Sequence, residues 1–214
     1  MTIVTTMYLP KQFNTDDLAL AHQLMREQPF ALLVGPDADG QSFGTHAPLS
    51  VVQDEQCNPG VWQLEGHMAR ANPHWAWLQA QTSVLAVFSG PNAYISPAHY
   101  DTLLAVPTWN YLAVHVYGTL SLIDDPAGKD ALLKRLIAQH EPAYAAQWRG
   151  LPEDFQDKLL GAIVGFRITV TRWEGKFKLS QNRAATERAR IQDSFAAGSA
   201  GEQALARWMA QLGL

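Results

Sequence analysis

Short apolar segments bounded by turn-forming residues occupy most of the middle of this chain. They lie at residues 30–35, 43–52, 61–67, 84–89 and 111–123, and the run Asp-Ala-Asp-Gly at 37–40 separates the first two. Segments of this kind are typical of antiparallel strands joined by hairpins. The spacing therefore predicts an antiparallel sheet, and the lack of any fixed repeat period excludes a solenoid.

Helical patterns flank and interrupt these strands. Thr15 is expected to cap the first helix, and Asn72-Pro73 to open a short one. The predicted helices lie between Thr15 and Pro29, at 74–79, from Asp125 onward, after Pro152, and as two helices in 183–214 divided at 198–201. Two further strands, at 162–171 and 176–180, are predicted to join through a turn at Glu174-Gly175.

Strands with helices between them predict an α+β fold, here a small and mostly antiparallel β-barrel with inserted and C-terminal helices. We expect residues 1–182 to form the barrel domain, with its N-terminal helix and its helical insertion. Residues 183–214 are predicted to be a C-terminal helical appendage.

The composition bears on partners and location. Charged residues make up 17% of the chain, below the roughly 25% usual for globular domains, so a homodimer interface is one candidate for the remaining surface. Cys57 is the only cysteine, which excludes an intrachain disulfide. The first ten residues lack the pattern of a signal peptide, and no apolar run approaches the ~20 residues that span a bilayer. We therefore expect a cytoplasmic protein without a membrane segment.

The formal net charge of −4 conceals an uneven distribution. Residues 27–128 hold nine acidic residues and one basic residue, Arg70, whereas 167–190 holds seven basic and two acidic residues. Arg70 precedes the predicted helix at 74–79, which suits a phosphate or carboxylate ligand; the alternative is that Arg70 pairs with Glu65. The basic strip at 167–190 leaves DNA contact open, although no compact helix-turn-helix accompanies it.

Known catalytic motifs are missing. The chain has no P-loop, no G-x-G-x-x-G after a strand and no G-x-S-x-G, so nucleotide hydrolysis, Rossmann dinucleotide binding and the usual serine-hydrolase elbow lack support. Its seven histidines show no metal-ligand spacing, and we expect no metal site.

Four stretches instead combine sharp turns, polar donors and aromatic residues, at 66–73, 90–97, 106–111 and 176–183. A planar apolar ring with a phosphate tail needs this mixture, because the ring requires aromatic packing and polar edge contacts while the tail requires cations. Their co-occurrence favours a cofactor of that type.

The sequence resembles the FMN-binding negative transcriptional regulators of the Pai type. The resemblance rests on Met-Tyr-Leu-Pro at 7–10, on Phe13 and on the four stretches, above all Val-Pro-Thr-Trp-Asn-Tyr at 106–111 and Lys-Phe-Lys-Leu-Ser-Gln-Asn-Arg at 176–183. Such proteins are similar to the pyridoxamine-phosphate-oxidase-like split barrels. The resemblance implies a split β-barrel that binds FMN in clefts between the two subunits of a homodimer.

The resemblance also implies site residues, all of them cofactor contacts. Those expected to face the flavin ring are Thr45, His46, Ala47 and Pro48. Those at the strand end and turn toward the phosphate are Leu64, Gly66, His67, Arg70 and Asn72. Those expected to close the same cleft, from the same chain or from the partner, are Lys178, Ser180, Gln181 and Asn182.

Three functions stay open at this point. The first is transcriptional regulation with FMN as a sensed ligand. The second is an FMN-dependent oxidoreductase acting on a small molecule; the catalytic residues are then unknown, although His46 and His67 titrate near neutral pH if they line the ring. The third, a haem-binding or haem-degrading split barrel, rests on analogy of fold.

Overall fold

The computed structural model of the protein describes residues 7–53 and 61–214. The strands are β1 (Asn14–Thr15), β2 (Phe30–Pro36), β3 (Ser42–Pro48), β4 (Ser50–Gln53), β5 (Trp62–Ala69), β6 (Val84–Ile95), β7 (Thr108–Ile123) and β8 (Ile163–Lys178). The α-helices are α1 (Leu18–Glu27), α2 (His74–Gln79), α3 (Pro126–His140), α4 (Ala145–Gly150), α5 (Glu153–Gly161), α6 (Ala185–Ala196) and α7 (Ala200–Gln211). Cys57 lies outside the described residues.

The strands form one sheet in the order β3-β2-β6-β7-β8-β5-β4, and β1 also pairs with β8. The β2–β3 hairpin is antiparallel from Phe30 opposite Pro48 to Pro36 opposite Ser42. The β5–β8 pair is antiparallel as well, although its strands are far apart in the sequence. The predicted α+β class with a mostly antiparallel sheet is therefore confirmed.

Alternating burial explains why these segments are strands. Along β7 every second residue is buried, including Leu112, Val114 and Val116. The same period of two runs through Val164, Phe166 and Ile168 of β8. Because successive side chains of a strand point to opposite faces, this pattern buries one apolar face of the sheet.

The first helix is present but begins at Leu18, two residues later than a cap at Thr15 predicts, and it is capped by a different residue. The Asp17 carboxylate accepts hydrogen bonds from the backbone N–H of Ala19, at 2.9 Å, and of Leu20, at 3.2 Å. The Thr15 hydroxyl instead accepts from the N–H of Asp17, at 3.3 Å. Asp17 therefore supplies the side-chain acceptor that orphan N–H groups at a helix N-terminus require.

The predicted hairpin at 162–180 is wrong, because β8 runs without a turn from Ile163 to Lys178. Gly175 is buried there and lies opposite Thr15 of β1 in the sheet. Strand β6 likewise continues past Ser89 to Ile95. A Cβ on Gly90 would lie 2.9 Å from Leu112 Cβ, so this glycine marks a close approach of two strands rather than a turn.

Two smaller differences concern element boundaries. The segment 43–52 divides at Leu49, which is buried and whose N–H donates to the carbonyl of Pro29, at 2.8 Å, so it contributes to two strands. Helix α4 has no counterpart in the sequence-based prediction. The helices predicted at 74–79, from 125, after 152 and in 183–214 are all present.

The chain divides into two compact units. Unit 1 comprises the described part of Met1–Leu24 together with Phe88–His115 and Glu174–Leu214. Within it the Phe177 and Trp208 rings meet edge to face with centroids 5.3 Å apart. The predicted division after residue 182 stays a prediction.

Unit 2 comprises Met25–Val87 and Val116–Trp173. Within it α2 packs against β2 so closely that a Cβ on Gly35 would lie 2.5 Å from Leu78 Cδ2. Across the described residues, no helix has the length and apolar composition needed to cross a membrane.

Candidate functional site

In unit 2 the structure joins two of the predicted residues, Thr45 and Asn72, through His74. The Asn72 amide donates to Thr45 Oγ1 at 3.1 Å, and His74 Nδ1 lies 2.8 Å from the same oxygen. Asn72 Oδ1 also accepts from the backbone N–H of His74, at 3.0 Å, at the start of α2. The short helix is thereby fixed to the β3 strand that carries Thr45.

Burial lowers the pKa of both His74 and His67, because desolvation disfavours the imidazolium. The His74 side chain is fully buried, and its Nε2 has no hydrogen-bond partner among the described residues. A second proton would create a buried donor without an acceptor. Both imidazoles are therefore held neutral at neutral pH.

The other predicted residues of β3 and β5 are divided between surface and core. His46 is exposed and stacks on Phe30, with ring centroids 5.6 Å apart and planes inclined by 18°. Ala47 and Leu64 are buried. A ligand on this side could meet the exposed ring of His46 directly, whereas Ala47 and Leu64 would support it from beneath.

Pro48, Gly66 and His67 line a small cavity of about 10 Å³ together with residues of α3. Glu65 also lines this cavity, although sequence reasoning treated it only as a possible partner of Arg70. The Glu65 carboxylate is 3% exposed and accepts from Arg135 Nε at 2.8 Å and from Arg167 Nε at 3.0 Å. Two guanidinium groups thus neutralise one buried carboxylate and join α3 to strands β5 and β8.

Arg70 lies at the end of β5, and its partner is Asp124 rather than Glu65. Its Nε donates to the carbonyl of Gly161 at 2.9 Å, and an Nη donates to the carbonyl of Ile163 at 3.1 Å. The same Asp124 carboxylate lies 3.3 Å from Lys129 Nζ. These cations hold the pKa of Asp124 below its usual range. Arg70 therefore connects the end of β5 to the start of β8 through hydrogen bonds. To bind a phosphate, its guanidinium group would have to give up some of these hydrogen bonds.

Unit 1 contains a larger cavity of about 240 Å³, which we call the Lys178 cleft. Its lining consists of four aromatic or apolar side chains, five hydroxyl or amide side chains, and two cations. The residues are Gln12, Phe13, Tyr100, Val106, Pro107, Thr108, Asn110, Lys178, Ser180, Asn182 and Arg183. Three of the four predicted residues of this segment, Lys178, Ser180 and Asn182, are therefore brought together.

Lys178 donates a hydrogen bond from Nζ to Thr108 Oγ1, and the Phe13 ring centroid lies 5.9 Å from the same nitrogen. Burial lowers the pKa of Lys178, and the nearby Lys176 acts in the same direction while Tyr111 opposes it. Lys178 pairs with no carboxylate among the described residues. Its charge is thus available to a ligand in the cleft.

Ser180 follows strand β8 in the left-handed region, with φ of 63°, where a residue other than glycine is strained. Its buried hydroxyl donates to Asn110 Oδ1 at 3.0 Å. Gln181 does not line the cleft: its amide oxygen accepts from the N–H of Leu179 at 2.7 Å, and its amide nitrogen donates to the carbonyl of Phe177. Gln181 thus shapes the turn that places Ser180 in the cleft.

Sequence reasoning selected the stretches 106–111 and 176–183 but missed Asn110, Tyr100 and Arg183 as individual residues. Asn110 is fully buried in β7, and a polar residue in an otherwise apolar alternating strand is the signal that could have identified it. The Arg183 guanidinium carbon lies 3.7 Å from the centroid of the Tyr100 ring. No sequence signal connects these two residues, which are far apart in the chain.

The predicted basic strip at 167–190 does not form a set of free cations. Arg167 is bound to Glu65, Arg172 lies over the Tyr117 ring at 3.7 Å, and Arg190 pairs with Asp101. Lys176 is buried and donates to the carbonyl of Tyr8 at 2.7 Å, and Arg188 donates to the carbonyl of Arg183. The strip is thus committed largely to contacts within the protein.

Residues 7–172 match the model of the family FMN_bind_2, described as "Putative FMN-binding domain". This chain belongs to that family. Among its relatives is the protease synthase and sporulation protein PAI 2 of Bacillus subtilis, which is 34% identical over 186 residues, a span of 85% of each chain. The Pai-type resemblance seen in the sequence is thereby confirmed.

Solved structures agree on the fold. The FAD- and haem-binding protein of Mycobacterium smegmatis is similar with a TM-score of 0.60 at 16% identity, covering 87% of this chain and 80% of that one. A flavocytochrome of Azotobacter vinelandii is similar with a TM-score of 0.58 at 17% identity, covering 77% and 69%. The α+β split-barrel class is confirmed.

The cofactor of this FMN-binding family member is FMN. The donor set of the Lys178 cleft fits a group of that chemistry, because it offers aromatic surfaces, two cations and unpaired polar atoms. Asn110 Nδ2 and Tyr100 Oη are both buried and lack hydrogen-bond partners among the described residues. Buried polar groups in proteins nearly always have partners, so these two atoms suit a bound polar ligand.

Proposed function

We propose that this chain is a cytoplasmic FMN-binding regulator of the Pai type, acting as a homodimer that holds FMN in the cleft between two copies. The observation that carries the proposal is the Lys178 cleft, in which a lysine without a carboxylate partner lies beside the buried Asn110 and Tyr100 groups. An anionic, aromatic cofactor complements both its charge and its rings.

The proposed contacts form three groups. Thr45, His46 and Pro48 would lie toward the flavin ring, with Ala47 behind them, whereas Leu64, Gly66, His67, Arg70 and Asn72 would shape the phosphate side. Lys178, Ser180 and Asn182 would close the cleft, and Gln181 would hold their turn in place. When bound, FMN supplies electron and hydride transfer chemistry, and the protein supplies binding and orientation.

The homodimer is supported by exposed apolar side chains in unit 1. Leu103 and Leu104 are almost completely exposed, and Val106 and Trp109 are largely exposed. The Trp109 ring also lies edge to face with the exposed Tyr94, with centroids 6.2 Å apart. Apolar clusters of this kind on a surface mark interaction sites. A second copy of the chain is the proposed occupant.

The regulatory role is supported by the PAI 2 relative, whose name connects that protein with protease synthesis and sporulation. Direct DNA contact would have to use cations such as Arg190 that are already engaged within the chain. We therefore expect weak DNA affinity that depends steeply on salt, because phosphate contacts are lost as counterions compete.

The phosphate role of Arg70 can be tested by FMN titration, with quenching of flavin fluorescence as the readout. Arg70→Ala should weaken FMN binding about tenfold, the loss expected when a charge-assisted hydrogen bond is removed. Arg149→Ala, which removes an exposed arginine of α4, is the matched control and should leave binding unchanged. Circular dichroism checks that both variants fold. Equal FMN affinity for Arg70→Ala and the control would refute the role.

The regulatory role requires a separate experiment. A labelled DNA fragment from the region upstream of the gene encoding this protein is titrated with the FMN-loaded chain, in about 50 mM and about 200 mM salt. The proposal expects binding at low salt that weakens at least tenfold at the higher concentration. No binding at low salt would remove direct DNA contact.

The second candidate is an FMN-dependent oxidoreductase. It is favoured by the lowered pKa of Lys178 inside a cavity, because perturbed titratable groups concentrate at catalytic sites. The assay is steady-state oxidation of NADPH by the FMN-loaded chain with a soluble electron acceptor. Turnover that depends on protein-bound FMN would support this function, and no flavin reduction would exclude NADPH as its donor.

A further inference from the structure

The Lys178 cleft combines hydrogen-bond donors that lack acceptors within the protein. Asn110 Oδ1 already accepts from the Ser180 hydroxyl, which leaves the Nδ2 amino group without a partner among the described residues. The Tyr100 hydroxyl likewise has no hydrogen-bond partner among the described residues. Both side chains are more than nine-tenths buried, at 0% and 8% exposure, and both line the cleft. Each of these two residues of the cleft wall therefore retains an unused hydrogen-bonding group.

The positive charge of the cleft also favours a ligand that accepts hydrogen bonds. Lys178 and Arg183 both line it, and no acidic side chain does so within the described residues. Arg183 lies against the Tyr100 ring, and Lys178 is held by the Thr108 hydroxyl, so neither cation is neutralised by a carboxylate there. Lys176, two residues earlier on β8, adds a further positive charge, which helps to lower the pKa of Lys178. A negatively charged acceptor would satisfy the donors and the cations together.

The remaining lining is apolar. Phe13, Val106 and Pro107 contribute hydrocarbon surface to a cavity of about 240 Å³. That volume is below the roughly 300–1,000 Å³ of pockets that enclose drug-sized ligands. It suits a compact ring or short chain that carries one anionic group, or one end of a larger molecule.

We propose that the Lys178 cleft is an oxyanion pocket, in which Lys178, Asn110 and Arg183 receive the carboxylate or phosphate of a small molecule whose apolar part contacts Phe13. This inference deepens the proposed function, on which it rests for the role of Lys178 as a ligand contact. The oxyanion can come from two sources: the carboxylate of a separate small ligand, or the phosphate of FMN itself, which would then lie at Lys178 instead of at the proposed contact Arg70.

Two variants remove the oxyanion site in different ways. Lys178→Met deletes the charge and keeps the length of the side chain. Asn110→Asp keeps an acceptor for Ser180 but replaces the unpartnered donor by a second acceptor, so that it repels an anion. Lys134→Met is the matched control, because it deletes an exposed lysine whose partner, Asp130, lies on the same helix of unit 2.

The flavin-free full chain is titrated calorimetrically with sodium benzoate and, separately, with inorganic phosphate. The proposal expects binding of at least one probe, weakened about tenfold or more by Lys178→Met and by Asn110→Asp but unchanged by Lys134→Met. Because the probes contain no flavin, this result stands even if FMN binds elsewhere. No binding of either probe, or equal binding by all variants, would overturn the proposal.

A comparison of FMN with riboflavin, which lacks the phosphate, identifies the source. If Lys178→Met abolishes the preference of the protein for FMN over riboflavin, the pocket holds the cofactor phosphate, and the proposed phosphate role of Arg70 is refuted. If that preference survives and FMN-loaded protein still binds benzoate through Lys178, the pocket holds a separate carboxylate ligand. Asn110→Asp keeps both conclusions testable if Lys178→Met does not fold.

Discussion

Ser180 offers a sharp test of how the cleft is built, because two of its substitutions separate backbone strain from hydrogen bonding. Its φ of 63° lies in the left-handed region, which costs a residue with a Cβ about 1–2 kcal/mol. Its hydroxyl also donates to the buried Asn110 at 3.0 Å, and the loss of a hydrogen bond to a buried group costs about 1–3 kcal/mol.

Ser180→Ala keeps the strain and loses the hydrogen bond, so we expect the free energy of unfolding to fall by about 2 kcal/mol. Ser180→Gly loses the same bond but relieves the strain, so it should be more stable than Ser180→Ala by about 1 kcal/mol. Equilibrium unfolding in urea, with unchanged slopes, measures both values.

The matched control is Ser194, an exposed residue within α6. In a helix interior glycine is less stable than alanine by about 1 kcal/mol, so Ser194→Gly should be less stable than Ser194→Ala. The order of the two variants is therefore expected to reverse between the positions. If Ser180→Gly proved no more stable than Ser180→Ala, the strained geometry and the reasoning built on it would be refuted.

Three further predictions concern unit 2. Burial lowers the pKa of His74 below the 6.5 of an unperturbed imidazole. As the pH falls, His74 therefore binds a proton in the unfolded chain before it does so in the folded chain. The free energy of unfolding should therefore decrease from about pH 7.5 to about pH 5.5, and less steeply in His74→Gln; an equal slope in urea unfolding would contradict this. Glu65→Gln should destabilise the protein by about 2 kcal/mol. This loss is smaller than the loss from breaking a fully buried ion pair, because Arg135 and Arg167 are partly exposed and can be hydrated once the carboxylate is gone. An unchanged urea midpoint would refute the role of that carboxylate. Gly118→Ala should destabilise by several kcal/mol, about 3 or more, since the new Cβ would lie within van der Waals distance of rigid backbone, only 2.3 Å from the carbonyl oxygen of Thr169; a melting temperature equal to that of the native chain would refute the close strand contact.

Local patterns predicted most of the fold. Proline and acidic caps placed the helices that begin at Pro126 and Glu153, and short apolar segments bounded by turn residues placed most of the strands. The wrong predictions occurred at glycines, because a glycine in the sequence can indicate either a turn or a close approach of two strands. Gly175 and Gly90 read as turn residues in the sequence, but each lies where a second strand approaches closely or pairs. The partner strand that decides between the two explanations is distant in the sequence and cannot be seen in a local window.

The candidate site was predictable only as stretches. Lys178 and Ser180 lie in a segment whose composition is unusual, and the structure brings both to one cavity. Arg70 was selected for its isolation among acidic residues, yet Asp124 reaches it from the end of a different strand. Charge isolation along the chain does not measure charge isolation in space, because the sheet joins residues that are far apart in the sequence.

The most direct test of the account is a single chromatographic measurement on the FMN-loaded protein, which records light scattering and flavin absorbance across the same peak. The account predicts one peak of twice the chain mass that carries one FMN per chain, because each of the two clefts of the proposed homodimer would hold one cofactor. A peak of single-chain mass that retains stoichiometric FMN would contradict the shared cleft. A protein peak without flavin absorbance would contradict the account of the cofactor site itself.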